Sequence, residues 1–163
     1  MMQIPQESPL RSYFVDAVSR TTEHVPGTRL HSYLVDLLLR FTHFDSVYAV
    51  HDAEGRRVKS ISEMLQEGDV TLKAQSFNRE REVHRHIGDY LLFWTGVFPD
   101  QWAAQRAPTD ALIDPIAQGE YSYYVVSTFE HGSFSDEAPT FKILSERFGD
   151  LQRCLRSVRQ ALG

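Results

Sequence analysis

Apolar side chains recur along most of this chain at every third or fourth position, the period of an amphipathic helix. In SPLRSYFVDAVSRTTEHV, Leu10, Phe14, Ala17, Val18 and Thr21 share one stripe. Ser8 suits the N-cap and Pro9 the first helical position, while Pro26-Gly27 ends the run. A second helix starts near Thr28, with Leu30, Leu34, Leu37, Leu38, Phe41 and Phe44 on its apolar face, flanked by Tyr33. Asp36, Arg40 and His43 lie opposite that stripe and are expected to face water. Val47-Tyr48-Ala49-Val50, a turn over Asp52 to Gly55 and a return through Arg56-Arg57-Val58 suggest a short β-hairpin near 47–58. SISEMLQEG then reads as a short helix capped by Ser60 or Ser62 and ended by Gly68.

The segment NREREVHRHIGDYLLFWTGVF carries the strongest burial signal. Val83, Ile87, Tyr90, Leu91, Trp94, Val97 and Phe98 form one broad face, and Leu92 and Phe93 extend the apolar character around the helix. Gly88, Thr95 and Gly96 on the back let neighbouring backbones approach. A helix apolar on all sides is a buried one, so residues 78–98 are predicted as the central helix of a bundle, stopped by Pro99. A polar connection with Pro99 and Pro108 follows. Residues 121–129 have strand-like propensity in Tyr121, Tyr123, Tyr124, Val125 and Val126. Tyr121, Tyr124, Val125 and Thr128 nevertheless make a helical stripe, and the segment is read as helix, with Asp114-Pro115 and Gly119 as breaks. Phe141, Leu144, Phe148, Leu151, Leu155, Val158 and Leu162 are spaced 3, 4, 3, 4, 3, 4. That heptad seam predicts one continuous final helix, with Asp136 and Glu137 near its start and Arg153, Arg156 and Arg159 near its end. The expected architecture is all-α: a single domain over 1–163, with five or six helices around a buried central one.

Composition narrows the function classes. The 163 residues carry 17 basic and 22 acidic side chains, a net charge of −5. An acidic balance lacks the footprint that phosphate backbones need, so no nucleic-acid partner is expected. No apolar run reaches the ~18 residues of a membrane span, and MMQIPQESPLRS shows no basic stretch followed by an apolar one. The single cysteine, Cys154, leaves no internal disulfide and suits a reducing compartment. A cytoplasmic protein is the expectation.

The candidate chemistry sits in REREVHRH. His84 and His86 are two positions apart and therefore on opposite flanks of a helix, unable to share one ion. Glu82, His86 and Asp89, spaced i, i+4, i+7, line one flank and are the candidate metal ligands or acid–base relay. The plainer alternative is three helix-surface pairs, Glu80–His84, Glu82–His86 and Arg85–Asp89. No catalytic residue and no cofactor is assigned, because the chain has no nucleophile elbow, no HExxH, no P-loop and no dinucleotide fingerprint. Gly55-Arg56-Arg57 is a turn with two cations, too few to define an anion site. The aromatic residues Tyr90, Phe93, Trp94, Phe98, Trp102, Tyr121, Tyr123 and Tyr124 fill the core or line a ligand pocket, with His86 or His131 as the nearest axial-ligand candidates.

The run REVHRHIGDYLLFWTGVFPD, with YLVDLLLRFTHFDSVY before it and APTFKILSERF after it, resembles an uncharacterised family of bacterial helical proteins. The likeness covers about residues 30 to 158 and is most recognisable in HIGDYLLFWTGVFP. It implies a bacterial, all-helical protein and brings no activity or site residue with it. Two function classes follow from the residues. The first is a non-enzymatic helical module that self-associates as a homodimer or docks a protein partner. The second is a metal- or small-ligand-binding bundle built on Glu82, His86 and Asp89 beside an aromatic-lined pocket.

Overall fold

Helical periodicity becomes helix throughout the computed structural model, which describes residues 9–25, 27–43, 50–69, 72–74 and 76–162. The elements are α1 (Pro9–Thr21), α2 (Thr28–Arg40), α3 (Ile61–Glu67), α4 (Phe77–Val97), α5 (Pro99–Gln105), α6 (Pro115–Ser127), α7 (Ala138–Glu146) and α8 (Phe148–Leu162), with 3-10 turns at Pro108–Asp110 and Gly132–Phe134. Among the described residues there are thus eight helices, where five or six were expected. Ser8, Pro26, Phe44, Val47 to Ala49 and the Leu162 side chain lie outside the described part. Gly27 caps α2 at φ 129°, a backbone conformation that favours glycine.

The central helix is as anticipated. Ser76 caps α4, its hydroxyl accepting from Arg79 N at 3.1 Å. Val83, Ile87, Leu91 and Leu92 are fully buried, and α4 touches α2, α3, α5, α6 and α8. Trp94 is only half-buried and packs on the edge of the core. The small residues take the close approaches: a Cβ on Gly88 would lie 2.7 Å from the Tyr123 ring, and one on Gly96 would lie 3.0 Å from Leu155 Cβ. Arg159 of α8 closes the far end of α4, donating to Val97 O at 2.9 Å and lying over the Phe98 ring.

Four expectations change. Pro99 ends α4 and at the same time opens α5 from the first helical position, so a helix with a buried Trp102 occupies part of the polar connection. Asp114-Pro115 begins α6 instead of breaking it: the Asp114 carboxylate accepts from Ile116 N and Ala117 N. Gly119 sits inside that helix against the Phe148 ring. The inward face of α6 is Gly119, Ser122, Tyr123 and Val126, and the stripe of Tyr121, Tyr124 and Thr128 faces outward. The heptad helix is two helices, broken at Arg147 (φ −113°, ψ 20°), yet Phe141, Leu144, Phe148, Leu151, Leu155 and Val158 are all buried within the chain.

The hairpin reduces to one antiparallel bridge between His51 and Arg57, and no strand forms among the described residues. Its turn is held by Asp52, whose carboxylate accepts from Glu54 N, Arg56 N and Arg56 Nε. That engagement draws Arg56 away from any anion-binding role, and the three donors hold the Asp52 carboxyl below its ordinary range. Among the described residues no helix is long and apolar enough to cross a membrane.

Candidate functional site

Asp89 lies on the middle turns of α4, completely buried. A carboxylate there must be hydrogen-bonded, and two neighbouring helices, α2 and α6, supply three donors. Tyr33 of α2 and Tyr123 of α6 each donate their hydroxyl to Oδ1 at 2.6 Å, and Arg40 of α2 donates to Oδ2 at 3.1 Å. Burial first, and then the Asp89 charge, push both phenols well above their ordinary value, so they remain protonated donors. Burial, the largest single influence, works against the charge of Arg40, but Asp89 and Tyr33 together raise the guanidinium above its ordinary value. Arg40 was expected in water on the polar face of α2. Its long side chain instead folds over the helix toward Asp89, whereas Asp36 stays outside and pairs with Arg11 at 3.2 Å.

Arg85, one turn before Asp89, stands beside this knot. Its Nε donates to the Tyr33 hydroxyl at 3.4 Å, and its guanidinium lies 5.8 Å from the Tyr33 ring centroid. Its two terminal nitrogens find no acceptor among the described residues. Burial opposes its charge, while Tyr33 and Asp89 sustain it above the ordinary guanidinium value. Arg40, Arg79, Arg85, Glu82, His86, Val50 and Asp89 line an open cleft of about 330 Å³. Arg79 is already engaged, by the His51 carbonyl at 2.8 Å and Glu67 at 3.5 Å.

Glu82, His86 and Asp89 therefore share a cleft without converging on a point. The Glu82 carboxylate is turned outward and pairs with Arg81 at 3.2 Å. His86 stacks on Phe41 with ring centroids 6.1 Å apart and lies against Tyr90. Asp89 is occupied by two hydroxyls and a guanidinium. Among the described residues no group of three or more His, Cys, Asp or Glu side chains is placed to hold a metal ion. His84 points the other way, its Nδ1 3.1 Å from Ser122 Oγ and its ring edge-on to Tyr121. The two histidines thus occupy separate environments on opposite flanks. Burial lowers the His84 pKa, partly offset by Asp69. Of the three surface pairs considered for this helix, Asp89 forms its ion pair with Arg40 across the helix interface, not with Arg85.

Three residues here escaped the sequence reading. Tyr33 reads in the sequence as flanking the apolar stripe of α2 and Tyr123 as a core or pocket-lining aromatic, and nothing in their spacing marks a shared carboxylate. Arg81 has no role in the sequence pattern of REREVHRH, yet it is buried, pairs with Glu137 and lies 4.0 Å over the Phe134 ring. The one available signal was an aspartate in the apolar half of a helix that must be buried, since such a group requires partners from other elements. Cys154 is buried, with Sγ 3.0 Å from Thr21 O, and burial raises its thiol pKa, as suits a packing residue. No protein-family model, curated protein or solved structure matches the chain.

Proposed function

We propose that this protein is a non-enzymatic binding module whose α2–α4 cleft takes an oxyanion, a carboxylate or phosphate group carried by its ligand. The observation that carries the reading is Arg85: a half-buried guanidinium at the cleft wall whose two terminal nitrogens have no acceptor among the described residues. Asp89 is already matched by Arg40 and two phenols, so it does not neutralise Arg85 by direct contact. A planar guanidinium with free donors accepts an oxyanion in bidentate fashion, and Arg40 has donors left over on the same cleft. Inorganic phosphate is the first probe. At matched ionic strength it raises the melting temperature of the wild-type chain above that in chloride, and Arg85→Gln abolishes the difference while folding normally. An Arg85→Gln variant that keeps the full phosphate shift overturns the reading.

A second reading, that the protein is a homodimer, is favoured by the outer face of α6. Ile116, Tyr121 and Tyr124 are exposed there, the tyrosines at 56% and 57%, and symmetric pairing is the commonest way to cover such a face. Light scattering across a dilution series tests it: a dimer mass that falls to one chain in the Tyr121→Ser/Tyr124→Ser variant supports it. A wild-type mass of one chain at tens of micromolar overturns it. The lone Cys154 and the bacterial resemblance support a reducing bacterial cytoplasm as the setting for either reading.

A further inference from the structure

One turn beyond the Asp89 knot, α4 forms the wall of a second and separate cavity. Tyr90 and Trp94 of α4, Trp102 of α5, Lys59, Arg106 and the buried Asp110 enclose about 120 Å³. The rings form a continuous wall: Tyr90 lies 6.2 Å from Trp102, edge to face, and 6.3 Å from Trp94. The polar groups around that wall are mostly donors. The Trp94 indole N–H is buried and has no acceptor among the described residues. The Arg106 side chain, exposed at the rim, has no hydrogen-bond or ion-pair partner among the described residues, and Lys59 adds a second cation. The one carboxylate, Asp110, is already engaged, accepting from Ile61 N at 2.8 Å, Ser62 N at 3.1 Å and Ser62 Oγ at 3.0 Å. An apolar aromatic wall with the unmet Trp94 N–H in it and the Arg106 guanidinium at its rim calls for a ligand with a hydrocarbon tail and an anionic acceptor head. The volume is below the roughly 150 Å³ that encloses benzene, which points to a short aliphatic chain.

We infer that the Tyr90–Trp94–Trp102 cavity is a binding site for a short-chain aliphatic carboxylate, its tail against the rings and its carboxylate held by Arg106. This site is independent of the oxyanion cleft. Trp94 and Trp102 are the two tryptophans of the chain, so both intrinsic reporters stand in the cavity wall. The test is a fluorescence titration of the full chain with sodium butyrate, with butyramide and sodium chloride in parallel at matched ionic strength. The expected result is a saturable emission change with butyrate alone, accompanied by displacement of an indole N–H signal in a proton–nitrogen correlation spectrum. Arg106→Gln, at an exposed position that leaves folding intact, weakens butyrate at least tenfold, whereas Arg85→Gln leaves it unchanged. A linear response, equal binding of butyramide, the same change with chloride, or undiminished binding by Arg106→Gln each overturns the assignment.

Discussion

Asp89 shows how one side chain ties three helices together. Its two phenol donors and the Arg40 guanidinium come from elements up to 56 residues away in sequence. A hydrogen bond to a charged group contributes about 2 kcal/mol, so Tyr123→Phe should lower unfolding free energy by about that amount in a urea titration. Asp89→Asn keeps one acceptor but leaves Arg40 facing a neutral amide, and a loss of about 3 kcal/mol is expected. His84 makes the stability depend on pH in a defined direction. Its pKa is lower in the folded protein than the ordinary imidazole value of about 6.5. Between those two values the unfolded chain binds more protons, so stability rises with pH through the window. The contribution is fully present above the ordinary value and is lost as pH falls through the folded one. His84→Gln should therefore flatten the fall in urea midpoint between neutral and mildly acidic pH; an unchanged slope would show that the ring stays uncharged for some other reason or is exposed.

At the scale of elements, close helix contact depends on glycine where α6 meets its neighbours. A methyl group on Gly88 would run into the Tyr123 ring 2.7 Å away, and one on Gly119 would meet the Phe148 ring. Alanine gains about 1 kcal/mol of helix propensity at such positions, but overpacking costs about 1–3 kcal/mol. Both Gly88→Ala and Gly119→Ala should thus be net destabilising in thermal unfolding. Gly88→Ala should also displace Tyr123 from Asp89, visible as a change in the near-ultraviolet tyrosine signal. The break at Arg147 belongs to this scale too. A straight helix over residues 141–162 would extend about 33 Å. The bend lets α7 pack on α6 and α2 while α8 packs on α4 and α1.

For the whole molecule, the consequence is that the heptad seam is consumed internally. Leu151 and Leu155 are completely buried within one chain. Leu151→Ala should cost about 2–5 kcal/mol, as buried leucine truncations do, without altering the mass seen by light scattering. A variant that changed the mass would place the seam at an interface between copies. Among the described residues the exposed large apolar side chains are Ile116, Tyr121 and Tyr124 on α6, Leu10 and Val15 on α1, and Leu72, Phe77 and Leu112.

What the sequence by itself determined was the all-helical class, the longer helices of the first two thirds of the chain and most of their buried faces. The periodicities of residues 28–41 and 78–98 and the Ser60 cap can be read from residues close together along the chain, and local pattern carries that information. The tertiary structure alone decided the inward face of α6, because its apolar and aromatic residues do not fall on one face and small residues share the buried one, so burial depends on which neighbour offers complementary space. It alone bent the heptad helix, since a/d spacing specifies a seam but not whether one partner or several cover it. The candidate site divides in the same way. The flank of Glu82, His86 and Asp89 was visible in the spacing, but its chemistry was set by Tyr33, Arg40 and Tyr123, which lie 34 to 56 residues away in sequence. A buried carboxylate must find donors, but which residues supply them is settled only when the helices pack.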